Sequence, residues 1–215
     1  MKKDTSRERI LKKVKTALGK GDYAMSIPEF TTPVFKDLPK DDLTMIFAEN
    51  FLNTKGIFFY CEDGKDLLVN LRAYIAQVGK EPIYIWEPEL IESFEGQFSF
   101  SADKNAFNQA EIGITTCEAL IARTGSILVT SATMSGRSLG IFPHIHIVIA
   151  FTSQIRQEVS DGLAMLKSKY PGNMPSMISL VTGPSRTADI EKTLVLGAHG
   201  PKELVLFLLD DSSNK

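Results

Sequence analysis

Short apolar runs alternate with longer amphipathic segments along most of this chain. GIFFY, from Gly56, and PIYIW, from Pro82, are strand-length and bounded by turn residues. Between them lies GKDLLVNLRAYIAQVG, in which Leu67, Leu68, Leu71, Ile75 and Val78 recur every three or four positions. Strands that are apolar throughout are buried on both faces, and strands joined by helices must run parallel through crossovers. The sequence therefore predicts an α/β domain with a mostly parallel sheet flanked by helices, over residues 41–215. DDLTMIFAENFLNTKG precedes the first strand as a helix with an acidic start and a glycine stop, and EPELIESFEGQFSF follows the second as a helix and a loop. Further on, EIGITTC, GSILVTSA, HIHIVIAF, SMISLVTG and ELVLFLLD predict strands. CEALIART predicts a short helix, and SQIRQEVSDGLAMLKSKY one with Ile155, Val159, Leu163 and Leu166 aligned.

Residues 1–40 differ. Ile10, Leu11, Val14, Ala17 and Leu18 form one stripe among lysines and arginines, the period of a terminal amphipathic helix, expected to pack on its own domain. MSIPEFTTPVFKDLP, with three prolines, then predicts an extended linker. The basic start lacks the apolar stretch and cleavage site of a secretory signal, and no apolar run reaches the roughly 18–20 residues of a membrane span, so a cytoplasmic location is expected. A net charge of -2 gives no global attraction to nucleic acid, so any anion site must be local. The two cysteines, Cys61 and Cys117, are too few for an iron–sulfur cluster or a structural zinc site. Neither the glycine fingerprint of a dinucleotide fold nor a P-loop occurs.

The densest motif is TGPSRTADIEKTLVLGAHGP, Thr182 to Pro201. A turn at Thr182, Gly183 and Pro184, capping hydroxyls on Ser185 and Thr187, and a helix from about Ala188 with Asp189 and Glu191 in its first turn would build an anion cradle. Free helix N–H groups and the Arg186 guanidinium would hold a phosphate or carboxylate. The competing reading is a tight turn with Arg186 paired to Asp189 or Glu191. Gly197 and Gly200 allow positive φ, and His199 is placed to lean over the cradle or to bond a backbone carbonyl. In the middle of the chain, Glu118 opens the predicted short helix, and is either a carboxylate for acid–base or covalent work or a first-turn residue. Thr124 and Gly125 turn into the next strand. SATMSGRSLG predicts a binding loop or lid, hinged at Gly136 and Gly140, with Arg137 as an anion contact. His144 and His146 share a strand face; without a third ligand nearby they are expected to be hydrogen-bonded, not metal-bound. Cys117 lacks an activating base.

GITTCEALIARTGSILVTSA, GRSLGIFPHIHIVIAFTSQI and above all TGPSRTADIEKTLVLGAHGP resemble the LUD domain family over the length of the chain. The resemblance implies a fold similar to the sugar-phosphate isomerase and CoA-transferase superfamily. It also implies a role in oxidising L-lactate to pyruvate beside two larger proteins that carry iron–sulfur clusters, with none in this chain. Arg123 departs from the acidic residue often found before the Thr-Gly of the middle motif. The motif falls on Gly183, Pro184, Ser185, Arg186, Thr187, Asp189, Glu191, Gly197, His199 and Gly200. The expected site sets Arg186 and the turn backbone against a wall of Glu118, Thr124 and Gly125, with a small carboxylate or phosphate between. Two other functions fit the same fold: a stand-alone enzyme acting on a phosphosugar, a CoA thioester or a folate, and a module that senses a small carboxylate.

Overall fold

The computed structural model describes residues 5–18, 38–39, 42–188, 194–196 and 200–212. The chain divides into Met1–Asp37 and Leu38–Lys215. In the first unit, α1 (Ser6–Leu18) is the expected amphipathic helix. Among the described residues, no helix is long and apolar enough to cross a membrane.

The second unit is built on a five-stranded, wholly parallel sheet. Its strands are β1 (Ile57–Cys61), β2 (Ile83–Ile85), β3 (Ile112–Thr115), β6 (Ile145–Phe151) and β11 (Glu203–Leu209), in the order β1-β11-β6-β3-β2. One face carries Ile83, Ile85, Ile112, Ile114, Ile145, Ile147, Val205 and Phe207. Against it pack Leu67, Leu71 and Tyr74 of α3 (Gly64–Val78) and Leu90 and Phe94 of α4 (Pro88–Phe94). The α3 helix starts where Asp63 accepts the backbone N–H groups of Lys65 and Asp66, both at 2.8 Å, and ends at Gly79 in the left-handed conformation (φ 60°). Each large apolar side chain buried in this layer contributes roughly 1.5–3 kcal/mol.

The opposite face carries Val148, Ala150, Leu204, Leu206 and Leu208, and buries Phe47 and Phe51 of α2 (Leu43–Asn53) together with a second sheet. That sheet runs β7-β4-β5-β8, from β4 (Ala119–Ile121), β5 (Ser126–Thr130), β7 (Ile155–Arg156) and β8 (Ile178–Val181). Its β4–β5 and β5–β8 ladders are antiparallel. Here the structure corrects the helix expected at CEALIART. Leu120 and Ala122 point into the core beneath the parallel sheet, while Ala119 and Ile121 pack with Leu166 of α5 (Val159–Lys169). Burial on both sides with a period of two is the environment of a strand, and it overrides the helical propensity of Glu, Ala and Leu. The helix expected from Ser153 is likewise shorter. Ile155 belongs to β7, and α5 starts only at Val159, where Glu158 N donates to Asp161 Oδ2 at 2.9 Å.

A third correction falls on the densest motif. Ala188, where a helix was expected to begin, is instead the last residue of a strand, β9 (Arg186–Ala188), paired antiparallel with β10 (Leu194–Leu196), while Asp189 and Glu191 lie outside the described residues. The Ala188 N–H is thus part of a strand and not the free end of a helix.

Candidate functional site

A bare position in the middle of β3 shapes the site. A Cβ on Gly113 would lie 2.6 Å from the Leu139 carbonyl oxygen and 2.8 Å from Pro143, so only glycine lets the 131–144 loop close onto the sheet. Leu139, fully buried, packs there with Tyr84 and Trp86. The closure brings Gly140 against the ring of His146 on the neighbouring strand, where a Cβ would lie 3.3 Å from Cε1. Around that ring is a small cavity of about 20 Å³, walled by the hydroxyl residues Thr115, Thr116, Thr133 and Ser135 and by Gly136 and Gly140. Across Val129, Gly136 and Gly140 it adjoins an outer cleft of about 240 Å³. Ile141, Met177, Leu180 and Val181 make the cleft's apolar wall, and Ser179, Gly183, Ser185, Gly200 and Pro201 line the rest.

His146 is 1% exposed, and burial lowers its pKa to about 4, so the ring is neutral at physiological pH. Its Nε2 lies 2.8 Å from Thr115 Oγ1, and Thr115 Oγ1 lies 3.1 Å from the Thr116 carbonyl, which can only accept. One hydroxyl proton satisfies both contacts when Nε2–H donates to Thr115 and Thr115 donates to Thr116. His146 Nδ1 is then a bare lone pair, buried and without a partner. Glu87, 3% exposed at the end of β2, accepts from Ser135 Oγ at 2.5 Å through Oε2, while Oε1 has no partner. Burial raises the Glu87 pKa, and the hydrogen bond from Ser135 opposes that rise. Two orphaned polar atoms therefore lie at or just behind one wall. Native interiors rarely leave such atoms unsatisfied without a ligand or water to meet them.

The expected site residues divide between this cleft and other places. Gly183, Ser185 and Gly200 line the outer cleft. Gly183 (φ 75°) lies where a Cβ would fall 2.3 Å from the Thr54 carbonyl oxygen, and Arg186 donates to that same oxygen at 2.7 Å. Its guanidinium thus serves the C-terminal end of α2, where a cation opposes the helix dipole. Gly125 (φ 59°) abuts the backbone of Asn50 and Phe51, again at the end of α2. Thr124 joins the same region through Ser126, whose hydroxyl bonds Thr124 and Thr182 at 2.7 Å each. Arg137 is exposed and bonded to Ser176. Arg123, the departure from the family pattern, is paired with Glu158, its Nε donating at 2.6 and 2.8 Å. Pro184 is half-buried beside Gly183, and Thr187 pairs through its backbone in β9. Asp189, Glu191, Gly197 and His199 lie outside the described residues.

Glu118 does not open a helix and does not line the cleft among the described residues. It precedes β4, and its buried carboxylate accepts from Thr130 Oγ1 (2.9 Å), Tyr170 OH (2.8 Å) and Lys169 Nζ (2.8 Å). Burial alone would raise its pKa, but the hydrogen bonds from Lys169, Tyr170 and Thr130 outweigh it and the net shift is downward. The two histidines part company, His144 bonding Glu111 at 2.8 Å at the surface, and no group of three or more metal-ligating side chains occurs among the described residues. Cys61 and Cys117 are free and buried. Burial pushes the Cys61 thiol up to about 11 and that of Cys117 higher still.

A larger cavity, of about 430 Å³, opens at the C-terminal ends of β1 and β11, between Met45, Ala48, Phe58 and Tyr60. Among the described residues its two carboxylates are already engaged: Asp42 accepts from Met45 N at 3.1 Å, and Asp210 is held by neighbours of its own. Hydrogen bonds from Ser212, then from Tyr60, hold the Asp210 pKa at about 2. The His146 cleft, with open valences, is the stronger candidate for binding.

Sequence reasoning weighed His146 as a hydrogen-bonded histidine and passed over Glu87, Ser135 and Thr115. The available signal for Glu87 was its position, an acidic residue directly after the buried run PIYIW, where parallel strands place functional groups.

The fold is a parallel α/β domain, backed by a second sheet, with a cleft beside His146. The chain belongs to the LUD domain family, whose model matches residues 70–209. It is similar to lactate utilization protein C of Shouchella clausii, 29% identical over 205 residues that cover 88% of this chain and 87% of that one. It is also similar to lactate utilization protein C of Bacillus subtilis, 26% identical over 233 residues covering 96% and 97%. In fold it is similar to a DUF162 family protein from Deinococcus radiodurans known from its crystal structure. The TM-score is 0.56 at 17% identity, over 80% of this chain and 99% of that chain.

Proposed function

We propose that the chain serves lactate utilization as a cytoplasmic subunit without clusters of its own, beside two iron–sulfur proteins that oxidise L-lactate to pyruvate. Its own contribution is the His146 cleft, as a site for a small hydroxy acid or related carboxylate, together with an assembly surface. The observation that carries this reading is the nearly end-to-end similarity to lactate utilization protein C of Bacillus subtilis. The cysteines support the division of labour. Cys61 and Cys117 lie in separate hydrophobic clusters with raised thiol pKa values, and neither is presented as a thiolate ligand.

The test is affinity purification of the tagged chain from its own cells, with the visible absorbance of the co-purifying proteins and L-lactate-dependent dye reduction measured with and without the chain. A brown complex whose lactate oxidation falls when the chain is removed supports the proposal. A colourless, solitary protein, with lactate oxidation undiminished in its absence, overturns it. Turnover of a phosphosugar, CoA thioester or folate by the purified chain would then point to a stand-alone enzyme.

A further inference from the structure

We infer that His146 Nδ1 is the hydrogen-bond acceptor for a ligand hydroxyl, and that the inner end of the cleft selects an alcohol over the matching carbonyl compound. The inference rests on the proposed function only in taking the cleft as the ligand site. Its premises are local. The relay from His146 Nε2 through Thr115 to the Thr116 carbonyl has one proton for each contact when Nε2 is protonated, and in that tautomer Nδ1 can only accept. That nitrogen is buried and unpartnered, and the cavity at the ring, about 20 Å³, has room for one group the size of a hydroxyl or a water. The rest of a small ligand lies in the adjoining cleft of about 240 Å³.

Among the described residues, neither cavity is lined by a lysine or an arginine. A phosphate driven to the inner end would be desolvated without a cation to pair it, and would stand near the Glu87 carboxyl behind Ser135. A ketone oxygen there would set one lone pair against another. A hydroxyl supplies the missing proton. In a 2-hydroxy acid such as L-lactate, the 2-hydroxyl enters the inner cavity while the carboxylate stays in the outer cleft, towards the hydroxyls of Ser179 and Ser185. No chemical step is implied: His146 binds and orients the hydroxyl, and Thr115 positions His146.

The experiment uses the purified full chain labelled with ¹⁵N-histidine. The imidazole nitrogens are followed by long-range ¹H–¹⁵N correlation while L-lactate, pyruvate and propionate are titrated separately. The spectrum of the free protein is expected to show Nε2 protonated and Nδ1 bare. L-lactate is expected to shift Nδ1 and to bind about tenfold more tightly than pyruvate or propionate, the effect of one net hydrogen bond. His146→Phe is expected to abolish that preference, and if this variant does not fold, the wild-type spectrum decides alone. A protonated Nδ1 in the free protein, equal binding of the three acids, or an Nδ1 unmoved by L-lactate would each overturn the inference. Lactate oxidation that depends on the chain, with His146 silent, would overturn this assignment while leaving the proposed function standing. Selective L-lactate binding in a chain that no lactate-oxidising complex requires would do the reverse.

Discussion

Two buried polar centres, Glu118 and His146, separated in the chain by β4, β5 and the 131–144 loop, are finished to different degrees. At Glu118 a carboxylate receives a hydroxyl, a phenol and an ammonium, and its pKa falls in spite of burial. At His146 one ring nitrogen is paired and the other is not, and a similarly incomplete carboxyl, Glu87, stands behind the same wall. A saturated polar network ties elements together and specifies their packing; an unsaturated one stores binding capacity that a ligand releases. The glutamate that composition marks as chemically suggestive is thus a structural clasp between the second sheet and the end of α5. The histidine with an isoleucine on either side is the better candidate for function.

This contrast can be broken or sharpened by measurement. Glu118→Ala removes the acceptor for three donors and is expected to cost about 3 kcal/mol in urea denaturation, while leaving ligand binding by the folded fraction unchanged. An equal loss of binding would place Glu118 in the site.

A comparable effect is expected from pH. An unfolded histidine titrates near 6.5 and folded His146 near 4. Acidification through that window protonates the unfolded chain before the folded one, so the contribution of His146 is full above pH 6.5 and lost as pH falls towards 4. Its upper limit is about 3 kcal/mol. Subtracting the pH–stability curve of His146→Asn from that of the wild type should isolate it, and superimposable curves would show that the ring is not buried neutral.

Gly113→Ala is expected to cost about 2 kcal/mol, because the new methyl group meets the Leu139 carbonyl, and to weaken ligand binding as the loop lifts from His146. A thermal shift with undiminished binding would separate the loop from the site. The smallest effect is expected at Lys169. Its ammonium is largely exposed, and Lys169→Met should change stability by at most about 1 kcal/mol, since Thr130 and Tyr170 still donate to Glu118. A loss as large as that of Glu118→Ala would mean that the ion pair, and not the hydroxyl donors, holds the clasp.

The apolar runs that became β2, β3, β6 and β11 were legible because a strand buried on both faces has to be apolar throughout, whatever its partners. The α3 helix was legible because the period of Leu67, Leu68, Leu71, Ile75 and Val78 is a local property of the chain. CEALIART was not legible. Four residues divided alternately between two cores make a strand only when the cores are already in place, and isolated propensity points the other way. The same holds for the Thr182–Pro201 motif. Its glycine and arginine are present for the close approach to Thr54, a neighbour well over a hundred positions away in the chain. Among the described residues, three of the expected contact residues, Gly183, Ser185 and Gly200, line the cleft. By itself the sequence determined the layered α/β class, because burial and periodicity are written into each segment separately. The tertiary structure decided which polar groups would be saturated and which left open, because a hydrogen-bond partner is a matter of position in space, and residues such as Thr115, Ser135 and His146 carry no sign of it until the chain has closed around them.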